Sequence, residues 1–437
     1  MTALHSSGHG IDVRSLSVAV FRSCLERNLS VEDAIGGDSR AAALPGRDRA
    51  LLANILLTGF RHKGEIEAVL KGLLDRPLPR KSGSAMDILF LGVVQLLFLQ
   101  MPAHAVIDLS VRAAKTDRNA THFSGLVNAV LRKVAAAGPS MLAGLDTAAL
   151  NTPRWLWERW VKNYGIETAR LIGLANAQRP PLDLSFKAGA GGWHAALGGT
   201  LLPNGQLRLP ADHPPVPELA GFHEGGWWVQ DAASTIPVGL LGDIAGLTVL
   251  DLCAAPGGKT LQLAAAGARV TAVDISDTRL GKLRANLSRT GLEAQLVVAD
   301  VLSGTVTGEW DAVLLDAPCS ATGTIRRHPE LPHVKQESQI RQLADLQRQM
   351  LNAASGLVKP GGRLVYCTCS LEPEEGESQM EWFQGWNHGF EPDPCGLTWL
   401  PPHAVSAKGW VRTLPFMTFG EVQGLDGFFA AALRRRP

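Results

Sequence analysis

The sequence predicts a doubly wound α/β sheet in its second half, behind an all-helical first third. Three observations predict it. Apolar, strand-like runs alternate with helix-forming stretches from residue 247 onward, the pattern of a parallel sheet covered on both faces. The first of these runs breaks at a glycine turn that opens a helix. Later runs end in acids, at Asp274, Asp300 and Asp316.

Residues 247–260 read Leu-Thr-Val-Leu-Asp-Leu-Cys-Ala-Ala-Pro-Gly-Gly-Lys-Thr. The β-branched start suits a buried strand, and residues 261–266 are good helix formers. A strand, a glycine turn and a helix N-terminus make a ligand seat, because the backbone can be approached and the first N–H groups lack partners. A phosphate-binding P-loop would need glycine at Cys253, and the dinucleotide pattern G-x-G-x-x-G is absent. A methyl-donor seat remains, with S-adenosylmethionine over the turn and its ribose diol on Asp274 at the end of the second strand.

At 437 residues, two or three domains can each bury a core. The 42 Lys+Arg against 41 Asp+Glu leave the chain near neutral, so any nucleic-acid contact must come from a local basic face. The six cysteines show neither a C-x-x-C pair nor Cys/His zinc spacing. No metal site is expected, and a reducing, cytoplasmic setting is. Asp12 and Arg14 interrupt any signal-like pattern. The longest apolar run, residues 88–101, contains Gln95 and is too short to span a bilayer; a buried helix and no membrane contact are expected.

Helical spacing covers residues 11–35, 48–60, 63–75, 84–101, 103–115 and 122–136, with a modest excess of basic residues. Residues 102–107 (Pro-Ala-His-Ala-Val-Ile) and 123–132 (Phe-Ser-Gly-Leu-Val-Asn-Ala-Val-Leu-Arg) resemble the two signature stretches of NusB-like RNA-binding domains. That resemblance implies RNA contact, to which Arg112, Lys115, Arg118, Arg132 and Lys133 could bring cations. Next come a small-residue linker, an aromatic-rich helix from Arg154 toward Gly165, a turn into a strand over residues 179–186, and a Gly/Pro-rich stretch over 187–226. The tryptophans there are read as core.

Beyond the donor turn, residues 295–299 make the third strand and lead to Asp300. Residues 311–315 make the fourth, delivering Asp316, Pro318 and Cys319 to the carboxyl edge of the sheet. An amphipathic helix over 339–358 stops at Lys-Pro-Gly-Gly. The fifth strand, residues 363–370, brings Cys369 to the same edge. Two thiols and an acid beside a methyl-donor seat suggest methylation of cytosine at carbon 5. That carbon is too weakly nucleophilic until a thiolate adds to carbon 6, and an acid at the ring nitrogen or amine then steadies the charge.

Residues 251–259 (Asp-Leu-Cys-Ala-Ala-Pro-Gly-Gly-Lys), 316–323 (Asp-Ala-Pro-Cys-Ser-Ala-Thr-Gly) and 368–370 (Thr-Cys-Ser) together resemble the RsmB/Sun/NSUN family of RNA cytosine-C5 methyltransferases. With residues 424–429, the likeness runs over nearly the whole chain. It implies a Rossmann-like class I methyltransferase domain at 236–437, an all-α NusB-like domain at 1–137 and a small α+β connecting region at 150–235. It implies S-adenosylmethionine as cofactor and small-subunit ribosomal RNA as partner, bound by a monomer. Cys369 would be the nucleophile and Cys319 the thiol that assists release. Cys253, Ala254, Ala255, Pro256, Gly257, Gly258, Lys259, Asp274, Asp300 and Asp316 would line the donor site, with Asp316 also reaching the base. The same chemistry on transfer RNA, or a silent assembly factor, stay open as alternatives. Two departures stand out: Cys367, where a small non-thiol residue is usual, and Leu331-Pro332-His333-Val334, where the family commonly continues with Lys-Trp. Arg326 and Arg327 are candidate phosphate contacts.

Overall fold

The computed structural model describes residues 13–79, 81–187 and 192–437. It divides into two compact units: the described residues of Met1–Gln178 with Arg327–Gln336, and Arg179–Arg326 with Glu337–Pro437. No helix among the described residues is long and apolar enough to cross a membrane.

The first unit is helical. The expected helix over 11–35, whose first two residues lie outside the described ones, is two helices, Val13–Arg27 and Val31–Gly36. Asn28 breaks it with φ +53°, and the Ser30 hydroxyl caps the second helix by accepting the Asp33 N–H at 3.0 Å. Gly46–Arg61, Lys63–Leu73, Ala85–Val93, Ala103–Thr116 and Ser124–Ala137 follow. The apolar run 88–101 is buried as expected from Ile88 to Gln95, but it widens into a π-helical turn at Val94–Phe98 and its end beyond Leu97 is partly exposed. One core joins these helices, including Leu52, Ile55, Leu89, Val93 and Leu131. Gly92 is required there, since a Cβ would stand 2.7 Å from the Leu131 side chain.

The connecting region expected at 150–235 is not one piece. Helices Thr147–Asn151, Arg154–Tyr164 and Ile166–Asn176 belong to the first unit. Buried Glu65 ties them in, accepting from the Thr147 hydroxyl at 2.6 Å and the Asn151 amide at 2.8 Å. Strands β1 (Leu182–Phe186), β2 (Thr200–Leu201), β3 (Leu207–Leu209) and β4 (Trp227–Val229) form a small sheet in the second unit, ordered β2-β3-β1-β4. The buried Arg208 guanidinium fixes it, meeting Asp183 at 2.6 and 2.7 Å and the Gly424 carbonyl at 2.5 Å. Residues 188–191 of the Gly/Pro-rich stretch lie outside the described residues.

The main sheet is built from β5 (Thr248–Leu252), β6 (Arg269–Asp274), β7 (Gln295–Val298), β8 (Trp310–Asp316), β9 (Val358–Thr368), β10 (Phe390–Pro392) and β14 (Phe428–Arg435). Their order is β10-β14-β9-β8-β5-β6-β7, with β11 (Val411–Thr413) also on β14. β7 through β9 are parallel, while β14 runs antiparallel to β9. β12 (Thr418–Phe419) and β13 (Val422–Gln423) make a separate hairpin. The chain leaves β5 toward β6 on one side and returns to β8 on the other. That reversal opens a crevice at the carboxyl end of β5, where doubly wound sheets bind ligands.

Candidate active site

The donor turn sits at that crevice. Cys253 has φ +61° and Gly257 φ +111°, and helix Gly258–Ala265 starts directly after. Gly257 is fixed by geometry twice over, because a Cβ would also lie 2.3 Å from Leu283. Asp274, 2% exposed, holds the turn from the next strand: its carboxylate accepts the Ala255 N–H at 3.1 Å and the Ser276 N–H at 3.0 Å. Asp300, after β7, is exposed and caps the following turn through the Leu302 N–H at 2.9 Å. Beside these acids stand two bare apolar side chains, Ile275 (68% exposed) and Val298 (53%). Acids for hydroxyl and amino groups, flanked by apolar surface, fit a nucleoside-bearing donor.

The acid ending β8 lies between three predicted elements. Asp316 pairs with Lys259 Nζ at 2.8 Å, and the Cys367 thiol donates to its other oxygen at 3.4 Å. Lys259 also lies 4.9 Å from the centre of the Phe428 ring. Burial by itself would lower the Lys259 pKa, but Asp316 outweighs it and the ammonium is held protonated. Burial first, and then Asp316, push the thiols of Cys253 and Cys367 up, so neither ionises readily. Cys367 is thus a hydrogen-bond donor to the acid.

The two remaining thiols meet. Cys319 Sγ and Cys369 Sγ are 3.5 Å apart. Their loops interlock through backbone: Gly323 N–H donates to the Cys369 carbonyl at 2.9 Å, and Gly427 N–H to the Gly323 carbonyl at 2.8 Å. A Cβ on Gly323 would stand 1.9 Å from the Gly427 oxygen, and one on Gly427 2.4 Å from the Leu371 side chain, which accounts for glycine at both positions.

Other expectations are corrected. Arg326 is 3% exposed and paired with Asp231 at 3.4 Å and Asp426 at 3.0 Å, so it braces the fold and is no phosphate contact. Arg327–Gln336 belongs to the helical unit. There Pro332 and Val334 are buried, the His333 ring stacks on Phe60, and burial pushes the His333 pKa down to about 3. The expected basic residues Arg112, Lys115, Arg118, Arg132 and Lys133 are all exposed.

Residue-by-residue reading missed Asp251 and Glu375. Asp251, fully buried on β5, accepts the Thr260 hydroxyl at 2.5 Å. Burial, above all, pushes its carboxyl up to about 7 from 3.8. The fold therefore holds the protonated form. That stabilisation is fully present below about pH 3.8 and lost as pH rises through about 7. Asp251→Asn, which stays neutral, should flatten the fall in melting temperature between about pH 4 and pH 7. An unchanged slope in differential scanning calorimetry would refute this. Glu375, in the turn Pro373–Glu375, is 0% exposed.

Strand order, the glycine turn at the reversal point and the acids closing β6 and β7 define an S-adenosylmethionine-dependent class I methyltransferase. Residues 240–434 match the family described as 16S rRNA methyltransferase RsmB/F, and residues 12–136 match the NusB family. The chain belongs to the RsmB/F methyltransferase family. Ribosomal RNA small subunit methyltransferase B of Sodalis glossinidius (strain morsitans) is 36% identical over 90% of this chain and 91% of its own length. The protein of the same name from Cronobacter sakazakii is 33% identical over 98% and 99%. A methyltransferase homolog protein from Pyrococcus horikoshii superposes with a TM-score of 0.56 at 28% identity, covering 66% of this chain and 97% of that one.

Proposed function

We propose that this chain methylates carbon 5 of a cytosine in 16S ribosomal RNA through a covalent cysteine adduct. The observation that carries the reading is the pair of thiols 3.5 Å apart at the ends of adjacent parallel strands, beside an ion-paired acid. In the reaction, the Cys369 thiolate adds to carbon 6 of the base, and carbon 5 becomes enamine-like. Asp316 and the protonated Lys259 meet the ring's nitrogen edge and steady the charge that develops. S-adenosylmethionine supplies the methyl group. A base then takes the carbon-5 proton, the carbon 5–carbon 6 double bond re-forms and the carbon 6–sulfur bond breaks, so that the Cys369 thiolate leaves, with Cys319 assisting release. A target inside a stem has to be flipped out to reach these groups.

The donor is held by the turn from Cys253 to Lys259, by Asp274 at the ribose and by Asp300 near the adenine, with Ile275 and Val298 against the ring. Asp274→Ala should weaken S-adenosylmethionine by about 1–3 kcal/mol, a loss calorimetry reads directly. Unchanged affinity would exclude the ribose role. The exposed cations on the helical unit meet RNA phosphates, so RNA affinity should fall with salt. The relatives' name supports ribosomal RNA as substrate, which implies work in the cytoplasm, and the chain is read as a monomer.

Bisulfite sequencing of RNA from cells lacking this chain tests the reading. A cytosine of 16S ribosomal RNA should lose its modification and regain it on complementation. Loss confined to transfer RNA would move the substrate, and loss in neither would overturn the activity.

A further inference from the structure

One buried carboxylate stands behind both thiols. Glu375 Oε2 accepts the hydroxyls of Ser320 and Ser370, each at 2.5 Å. Oε1 accepts the Ser320 N–H at 2.9 Å and the Gln347 side-chain amide at 3.1 Å. Ser320 directly follows Cys319, and Ser370 directly follows Cys369. Gln347 also donates to the carbonyl of Pro318, the residue before Cys319, at 2.9 Å. The Glu375 carbonyl accepts from the Tyr366 and Thr368 hydroxyls at 2.8 and 3.1 Å, which fixes it to β9. A carboxylate this deep is costly unless its donors are in place, and here four are. So many convergent bonds make it a pin between two loops.

We propose that Glu375 is a positioning residue that holds Cys319 against Cys369 and thereby sets release of the methylated RNA. The proposal rests on the two-cysteine reading above. The bonds are unequal. Ser320 is held by both its N–H and its hydroxyl, whereas Ser370 gives Glu375 only its hydroxyl. Cys369 keeps other supports, since its carbonyl takes the Gly323 N–H and Arg412 binds the Ser370 carbonyl. Losing the carboxylate therefore frees the Cys319 side more than the Cys369 side. Addition to the base survives and release suffers, the outcome also expected of Cys319→Ala.

The test compares the full-length wild type with Glu375→Ala, Glu375→Gln, Ser320→Ala and Cys319→Ala on RNA substrate with S-adenosylmethionine. It reads turnover, donor affinity by calorimetry, and protein–RNA adduct on a denaturing gel. Glu375→Ala should slow turnover by about 10²-fold, as expected of a misplaced reacting group, with donor affinity unchanged and adduct accumulating. Glu375→Gln keeps an oxygen for the two N–H donors and turns its NH₂ toward the hydroxyl oxygens. It should recover release to within about tenfold of wild type. A general loss of stability would lower adduct and donor binding together and would not trap adduct. Adduct in Cys319→Ala but none in Glu375→Ala, with donor binding intact, overturns the proposal alone. If Glu375→Ala no longer binds donor, Ser320→Ala decides: trapped adduct supports the proposal and its absence overturns it. Adduct in no variant overturns the covalent reading, and the proposal falls with it.

Discussion

Cys369→Ala should lose methyl transfer by at least about 10³-fold while S-adenosylmethionine still binds. The thiol stands at the end of β9, and the donor turn belongs to β5, so removing one sulfur leaves the turn and Asp274 intact. Incorporation of labelled methyl into RNA, beside a donor titration on the same protein, measures both. Cys369→Ser should be nearly as inactive, because a serine hydroxyl is hardly ionised near neutral pH. Normal turnover by either variant would sink the nucleophile assignment.

Cys319→Ala should give the opposite outcome: a bond to RNA that forms and does not break. A retarded band should build up on a denaturing gel and collapse under nuclease. The double variant with Cys369→Ala should show no band, since release cannot matter before addition. At 3.5 Å either sulfur could reach the same base carbon, so separation does not rank them. Chemistry does. The Cys319 thiol is pushed well up, first by its hydrogen bond with Cys369, then by burial, and also by the charge of Glu375. Adduct in Cys369→Ala would reverse the roles.

The donor turn and the strand-end acids were legible because each is a local rule. A β-branched run, two glycines and a helix former lie together within residues 247–266. The thiols were legible for the same reason, since each sits just past an apolar strand. What was hidden depends on partners far along the chain. Arg326 reads as a surface cation until Asp231 and Asp426 close on it. Glu375 carries no local signal, because Ser320, which supplies two of its donors, is fifty-five positions away. The helical unit runs on beyond the NusB-like domain expected at 1–137, although small residues near 138–146 look like a linker. The contacts of Glu65 with Thr147 and Asn151 instead carry the unit past them. Strand β14 escaped a reading by period because it is buried on nearly every residue and does not alternate.

The segment Arg327–Gln336 gives the helical unit a place in time. Glu330 accepts the Val31 N–H at 3.3 Å, a bond spanning 299 positions, and His333 covers Phe60. A ribosome finishes the unit's first 178 residues long before it makes these ten. Until residue 336 emerges, the nascent bundle lacks the Glu330 acceptor for the Val31 N–H and the His333 ring against Phe60. By then most of the sheet unit's parallel strands have also left the exit tunnel. The helical unit therefore completes itself late, as an interrupted piece of chain, and cannot be cut away whole at any single peptide bond.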